Sequence, residues 1–164
     1  MGNFMKIKIL TILLLIASYA TGQVDSSLQF LKSKGTWQFP IRDIKRIERI
    51  DDEKFNNTIG CFPIVSTTFI SDTKSDVRSV FEGNVDIITK VEDFYIVALK
   101  YGGYYVFYTG LDSPIVKVNQ KILRGQKLGY TSVNNEKENY IDISLIKDLK
   151  PINISDWFIS KNCP

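Results

Sequence analysis

The sequence predicts an all-β domain, a compact β-sandwich or barrel-like fold, on three observations. Short runs rich in β-branched and aromatic residues follow one another from residue 62 onward, with turn signals between them. Gly102-Gly103 separates two such runs as a tight hairpin turn would. Asn139 to Ile146 alternates, with Tyr140, Asp142 and Ser144 on one face and Ile141, Ile143 and Leu145 on the other. With 164 residues, 44% hydrophobic and 24% charged, the chain has the make-up of one folded domain.

The first 22 residues read as a secretory signal peptide. Lys6 and Lys8 precede an apolar run of about 12 residues from Ile9 to Ala20, too short to span a bilayer. Small residues follow, and cleavage is expected near Gly22–Gln23, leaving no membrane span. That segment holds two lysines and no acid, so the formal charge falls from +3 to +1. So small a charge provides no strong field for nucleic acid or anionic lipid, and no nucleic-acid partner is expected. Residues 23–36 read as a polar lead-in, and residues 37–160 as the domain.

Trp37 to Pro40 begins the packed part. Ile41, Ile44, Ile47 and Ile50 recur every third residue, a spacing that fits one helix face or an irregular strand. The charges between them read as a solvated face. Strands are predicted at Val77–Phe81, Val85–Val91, Phe94–Lys100 and Tyr104–Tyr108, with Glu82-Gly83-Asn84 as a turn. The hairpin is dense in aromatics, which a half-buried pleated surface accommodates, so most are read as packing. Further strands are predicted at Ile115–Val118, Lys121–Leu123 and Lys127–Tyr130, a polar loop at 131–138, and a closing turn with Trp157 at 151–158.

Histidine is absent. That removes Ser-His-Asp and Cys-His nucleophile systems and every imidazole metal ligand. Cys61 and Cys163 pair in an oxidising compartment or remain two thiols; without histidine they make no zinc site. Ser71-x-x-Lys74 and Ser144-x-x-Lys147 match the Ser-x-x-Lys spacing of penicillin-recognising enzymes. The second pair lies on opposite faces of an alternating strand, and neither is followed by the accompanying motifs. Asp51-Asp52-Glu53 reads as solvated surface. The sequons at Asn56 and Asn153 matter only in a eukaryotic secretory route. These exclusions favour binding over catalysis.

Four segments resemble one family in order. "VRSVFEGNV" (77–85) resembles the V-x-A-x-x-x-G-x-V stretch of lysostaphin/LytM-type zinc endopeptidases. "VKVNQKILRGQKLG" (116–129) resembles their V-x-x-G-Q-x-V-x-x-G-Q-x-I-G stretch, and "KPINISDWF" (150–158) their K-P-V-N-P-x-x-W-L ending. "KGTWQFPI" (34–41) resembles the K-G-x-L-x-W-P-V entry of EnvC-type murein hydrolase activators. The resemblance implies a LytM β-sandwich with a groove for peptidoglycan peptides. In active members one zinc is held by two histidines and an aspartate.

Carried over position by position, the family's His-x-His falls on Tyr140-Ile141-Asp142. The histidine of its Y-x-H segment falls on Gly110, after Tyr108-Thr109. Its His-x-x-x-Asp pair falls on Ile64 and Thr68. The resemblance therefore implies a degenerate member with no catalytic residues, metal or cofactor. Its groove would be lined by Tyr140, Asp142, Ser144, Gly110, Tyr108, Thr68 and Ile64. The expected role is a secreted or periplasmic domain of the bacterial envelope that binds peptidoglycan or regulates a cell-wall hydrolase. The alternatives are a structural component of an envelope assembly and a hydrolase with a histidine-free site.

Overall fold

The computed structural model describes residues 27–52 and 64–159, with backbone alone for Ile50–Asp52 and Ile64. The expected signal peptide, Cys61 and Cys163 lie outside the described residues. Eleven strands form: β1 (Arg46–Asp52), β2 (Ile64–Ser71), β3 (Asp76–Arg78), β4 (Gly83–Val91), β5 (Phe94–Tyr101), β6 (Tyr104–Leu111), β7 (Lys121–Ile122), β8 (Lys127–Tyr130), β9 (Ser132–Val133), β10 (Asn139–Lys147) and β11 (Lys150–Ile152). One antiparallel sheet runs β1-β2-β10-β6-β5-β4-β7, with β9 and β11 also paired to β10. β3 and β8 form a separate ribbon.

β10 sits in the middle because it is bonded on both sides, by β2 and β6. Its alternation decides which way it faces. Ile141, Ile143 and Leu145 are fully buried on the inner face, against Phe69, Val97, Val106 and Tyr108. Val77 and Leu128 of the ribbon, with Val80, Phe81 and Val116 between the strands and Ile122 of β7, complete the same core.

The two ends of the described chain close the core together. Trp37 N–H donates to the Trp157 carbonyl and Ile159 N–H to the Trp37 carbonyl, each at 2.9 Å. The expected lead-in is not outside this packing. Residues 27–32 make a helical turn that buries Phe30 completely, stacked on Tyr104 at 4.3 Å. The packed domain thus extends at least to residue 27, because a lone phenylalanine in a polar segment found an aromatic pocket.

Most predicted strands form, and the exceptions have physical causes. Val77–Phe81 yields strand only to Arg78. Beyond it Val80 N–H donates to the Tyr108 hydroxyl at 2.8 Å, a side-chain partner that replaces a ladder. Ile115–Val118 is not a strand. Only Ile115 bonds β8, and Asn119 turns with φ +68°. The polar loop at 131–138 contains the short β9. The isoleucine triplets resolve into a bend followed by β1. The predicted hairpin forms, with Gly102 at φ +57°. Of its aromatics Tyr104 and Tyr108 are buried, and the others are half-buried.

Tyr108 is a buried structural phenol. Burial pushes its pKa up to about 12. Replacing Tyr108→Phe removes the hydroxyl that accepts from the buried Val80 N–H. The expected loss is about 1–3 kcal/mol, read as a fall in denaturant midpoint with unchanged slope. A neutral outcome would mean that water replaces the hydroxyl.

Candidate functional site

The face of the sheet opposite the core carries the candidate site. Antiparallel registration puts directly opposite residues on one face. Asp142 of β10 lies opposite Thr68 of β2 on one side and Thr109 of β6 on the other. Glu48 of β1 is the next neighbour beyond Thr68. Thr68 Oγ1 donates to Asp142 Oδ1 at 2.5 Å. Tyr140, two residues from Asp142, shares its face and lies opposite Ile70. Ser144 follows on the same face, opposite Ser66 and Phe107.

Gly110 completes the cluster through a bulge. Ile96 pairs with Thr109 and Tyr95 with Leu111, so Gly110 is the extra residue in β6. Its φ of +98° suits glycine. The Tyr140 ring lies against its Cα: a Cβ built there would meet the ring at 2.7 Å. The phenol therefore fills the hollow left by the bulge.

The structure brings Thr68, Gly110, Tyr140 and Asp142 together, with Ser144 one step along the strand. It separates the other two expected residues from them. Tyr108 is a correction: one position from Thr109, it points by strand parity into the core. Ile64 is also a correction. β2 runs straight from Ile64 to Thr68, and four residues of strand span about 13 Å. Ile64 pairs with Asp52, beyond the part of β2 that meets β10. Thr109, Glu48 and Phe107 on this face were not singled out from sequence. Their one signal was parity with Tyr108 and Ile47, and it carries no inter-strand register.

Burial holds the Asp142 carboxyl above its ordinary range, and Glu48 pushes the same way. The Thr68 hydrogen bond opposes them. Burial and the neighbouring Asp142 raise Tyr140. A carboxyl raised on folding contributes its full stability below the ordinary value of 3.8. That stability is lost as pH rises toward the folded value. Asp142→Asn keeps an acceptor for Thr68 and abolishes the buried charge. Its Tm at pH 7 is expected to rise by roughly 2–4 °C, with the gain vanishing near pH 3. A lower Tm at pH 7 would mean that the carboxylate has a favourable cationic partner.

The donor set does not fit a zinc ion. A catalytic zinc takes three protein ligands, imidazole, thiolate or carboxylate, around an open position. Here the corresponding positions supply one carboxylate, already hydrogen-bonded, a hydroxyl and a phenol seated on glycine. Among the described residues no three acids or cysteines gather as a metal site. An apolar cleft of about 600 Å³ lies elsewhere, between Ile47, Phe69 and Phe158 on the inner side of the β1 edge.

The sequence matches no protein-family model and no curated protein. Solved structures do match. The chain superposes on a chain of the SpoIIQ–SpoIIIAH pore-forming complex with a TM-score of 0.59 and 17% identity, over 80% of this chain and 99% of that one. On Csd3 of Helicobacter pylori the TM-score is 0.61 at 16% identity, over 78% of this chain and 38% of that one. On the catalytic domain of the prophage-encoded M23 protein EnpA of Enterococcus faecalis it is 0.50 at 16% identity, over 70% and 94%. The fold is thus that of the M23, or LytM-type, peptidases. The chain spans well under half the length of Csd3, and nearly all of the SpoIIQ–SpoIIIAH chain. On this fold, no histidine stands at any position of the sequence.

Proposed function

We propose that this chain is a non-catalytic LytM-type domain of the bacterial envelope that works by binding a protein, a cell-wall hydrolase or an assembly partner. One observation carries the reading: the Tyr140 ring, on the same face as Asp142, is seated against Gly110, in the space a side chain there would take. A groove plugged from within leaves little room for a peptide to be cut. The likeness to a chain from a two-protein complex supports a protein partner.

Direct binding of peptidoglycan is the second reading. It is favoured by Tyr105 and Phe107, half-buried and 6.2 Å apart on the same face as Ser144. Sedimentation with purified sacculi separates the two. The protein reading expects no retention beyond a control protein and no released fragments, with or without added zinc. Retention lost in Phe107→Ala transfers the assignment to peptidoglycan. Fragment release abolished by Asp142→Ala would overturn both.

A further inference from the structure

Away from this face, one cleft of about 200 Å³ brings three cationic side chains together. It lies where the bend after Ile41 meets the loop following β2 and strand β3. Arg42, Lys74 and Arg78 line it, with Asp43 and Asp76. Asp76 already holds Lys127 at 2.6 Å and Arg78 Nη2 at 3.2 Å. Asp112, outside the cleft, holds Lys74 at 2.5 Å. Those lysines keep both carboxyls below their ordinary range.

Two groups remain. Arg42 makes no hydrogen bond or ion pair within the described residues, though its charge reaches Asp76 across the cleft. Arg78 Nη1 donates to the Gly125 carbonyl at 3.1 Å and Nη2 to Asp76, and its Nε is buried without a partner, an orphan donor of the kind a bound water or ion accounts for. Asp43 on the same wall opposes an anion and holds affinity down.

We infer that this cleft is an oxyanion site, taking a carboxylate or a phosphate against the Arg42 guanidinium. The planar fork of arginine matches both groups with two parallel hydrogen bonds. The volume admits one such group with a little water and excludes a nucleotide. A carboxylate would arrive as the free end of a peptide, a phosphate as the free ion. The inference stands apart from the proposed binding role, since none of these residues lies in the Tyr140 cluster.

The test is an NMR titration of the full chain at constant ionic strength. The probes are N-acetyl-alanyl-alanine, its C-terminal amide and inorganic phosphate. Saturable shifts of the amides at 42–43 and 73–78 are expected with one or both anions, and none with the amide. Saturation by the dipeptide alone assigns a peptide carboxylate; saturation by phosphate alone assigns the ion. Arg42→Gln, at an exposed unpartnered side chain, is expected to weaken binding roughly ten-fold with Tm unchanged. No saturable shift with either anion, or unchanged affinity in Arg42→Gln, would overturn the site.

Discussion

Trp37→Ala is expected to cost about 4 kcal/mol, the largest single loss in the domain. The indole is fully buried. It packs on Trp157 at 4.9 Å, Phe30 at 5.8 Å and Phe158 at 5.9 Å. Its Nε1–H donates to Ser33 Oγ at 2.9 Å, and Ser33 Oγ–H donates to the Phe30 carbonyl at 2.6 Å. Removing the ring leaves a cavity where the segment around Trp37 meets residues 157–159, which an isolated bridge rather than a regular ladder joins. At roughly 2–4 °C per kcal/mol for a chain of this size, Tm falls by about 8–16 °C. Trp37→Phe keeps most of the packing and loses the Ser33 bond, so its loss is smaller. A loss below about 1 kcal/mol for the alanine variant would show that residues 27–37 fray independently of the sheet.

Gly110→Ala is expected to cost about 3 kcal/mol, and the loss has two separable parts. The backbone at φ +98° strains any residue with a Cβ. The new Cβ also displaces the Tyr140 ring from 2.7 Å. Tyr140→Ala made alongside removes the collision but not the backbone strain. The double variant should therefore be more stable than the sum of the single losses by about 1 kcal/mol. Strict additivity would mean that the ring does not occupy the bulge, and the plugged-groove reading would fall with it. The same cycle reports on the site itself. Losing the Tyr140 ring hydrates Asp142, so its raised pKa should relax toward the ordinary carboxylate value when followed by NMR titration.

The sequence determined which residues share a face wherever a strand alternates cleanly. The split of Asn139–Ile146 into Tyr140, Asp142 and Ser144 against three buried aliphatics needed only the period of two. The hairpin at Gly102-Gly103 was equally local, because paired glycines admit the positive φ of its turn. The absence of histidine is read directly from the sequence and removes imidazole from any metal site.

Only the tertiary structure decided which strands lie side by side. Thr68, Thr109 and Asp142 come from segments more than thirty residues apart, and their row depends on register set by the packing of the whole sheet. The family's Y-x-H segment put Tyr108 in the expected site; parity with Thr109 turns it inward, where its hydroxyl accepts from Val80 N–H. The family's His-x-x-x-Asp pair put Ile64 beside Thr68 in the expected site, and an extended strand keeps the two apart. Phe30 joined the core although its surroundings are polar, because the aromatic pocket that takes it is built from residues far along the chain. Period and turn chemistry are local properties that a sequence carries directly. Register, bulges and the filling of a hollow are set by contacts between distant segments, and they decide whether this face is a groove or a closed surface.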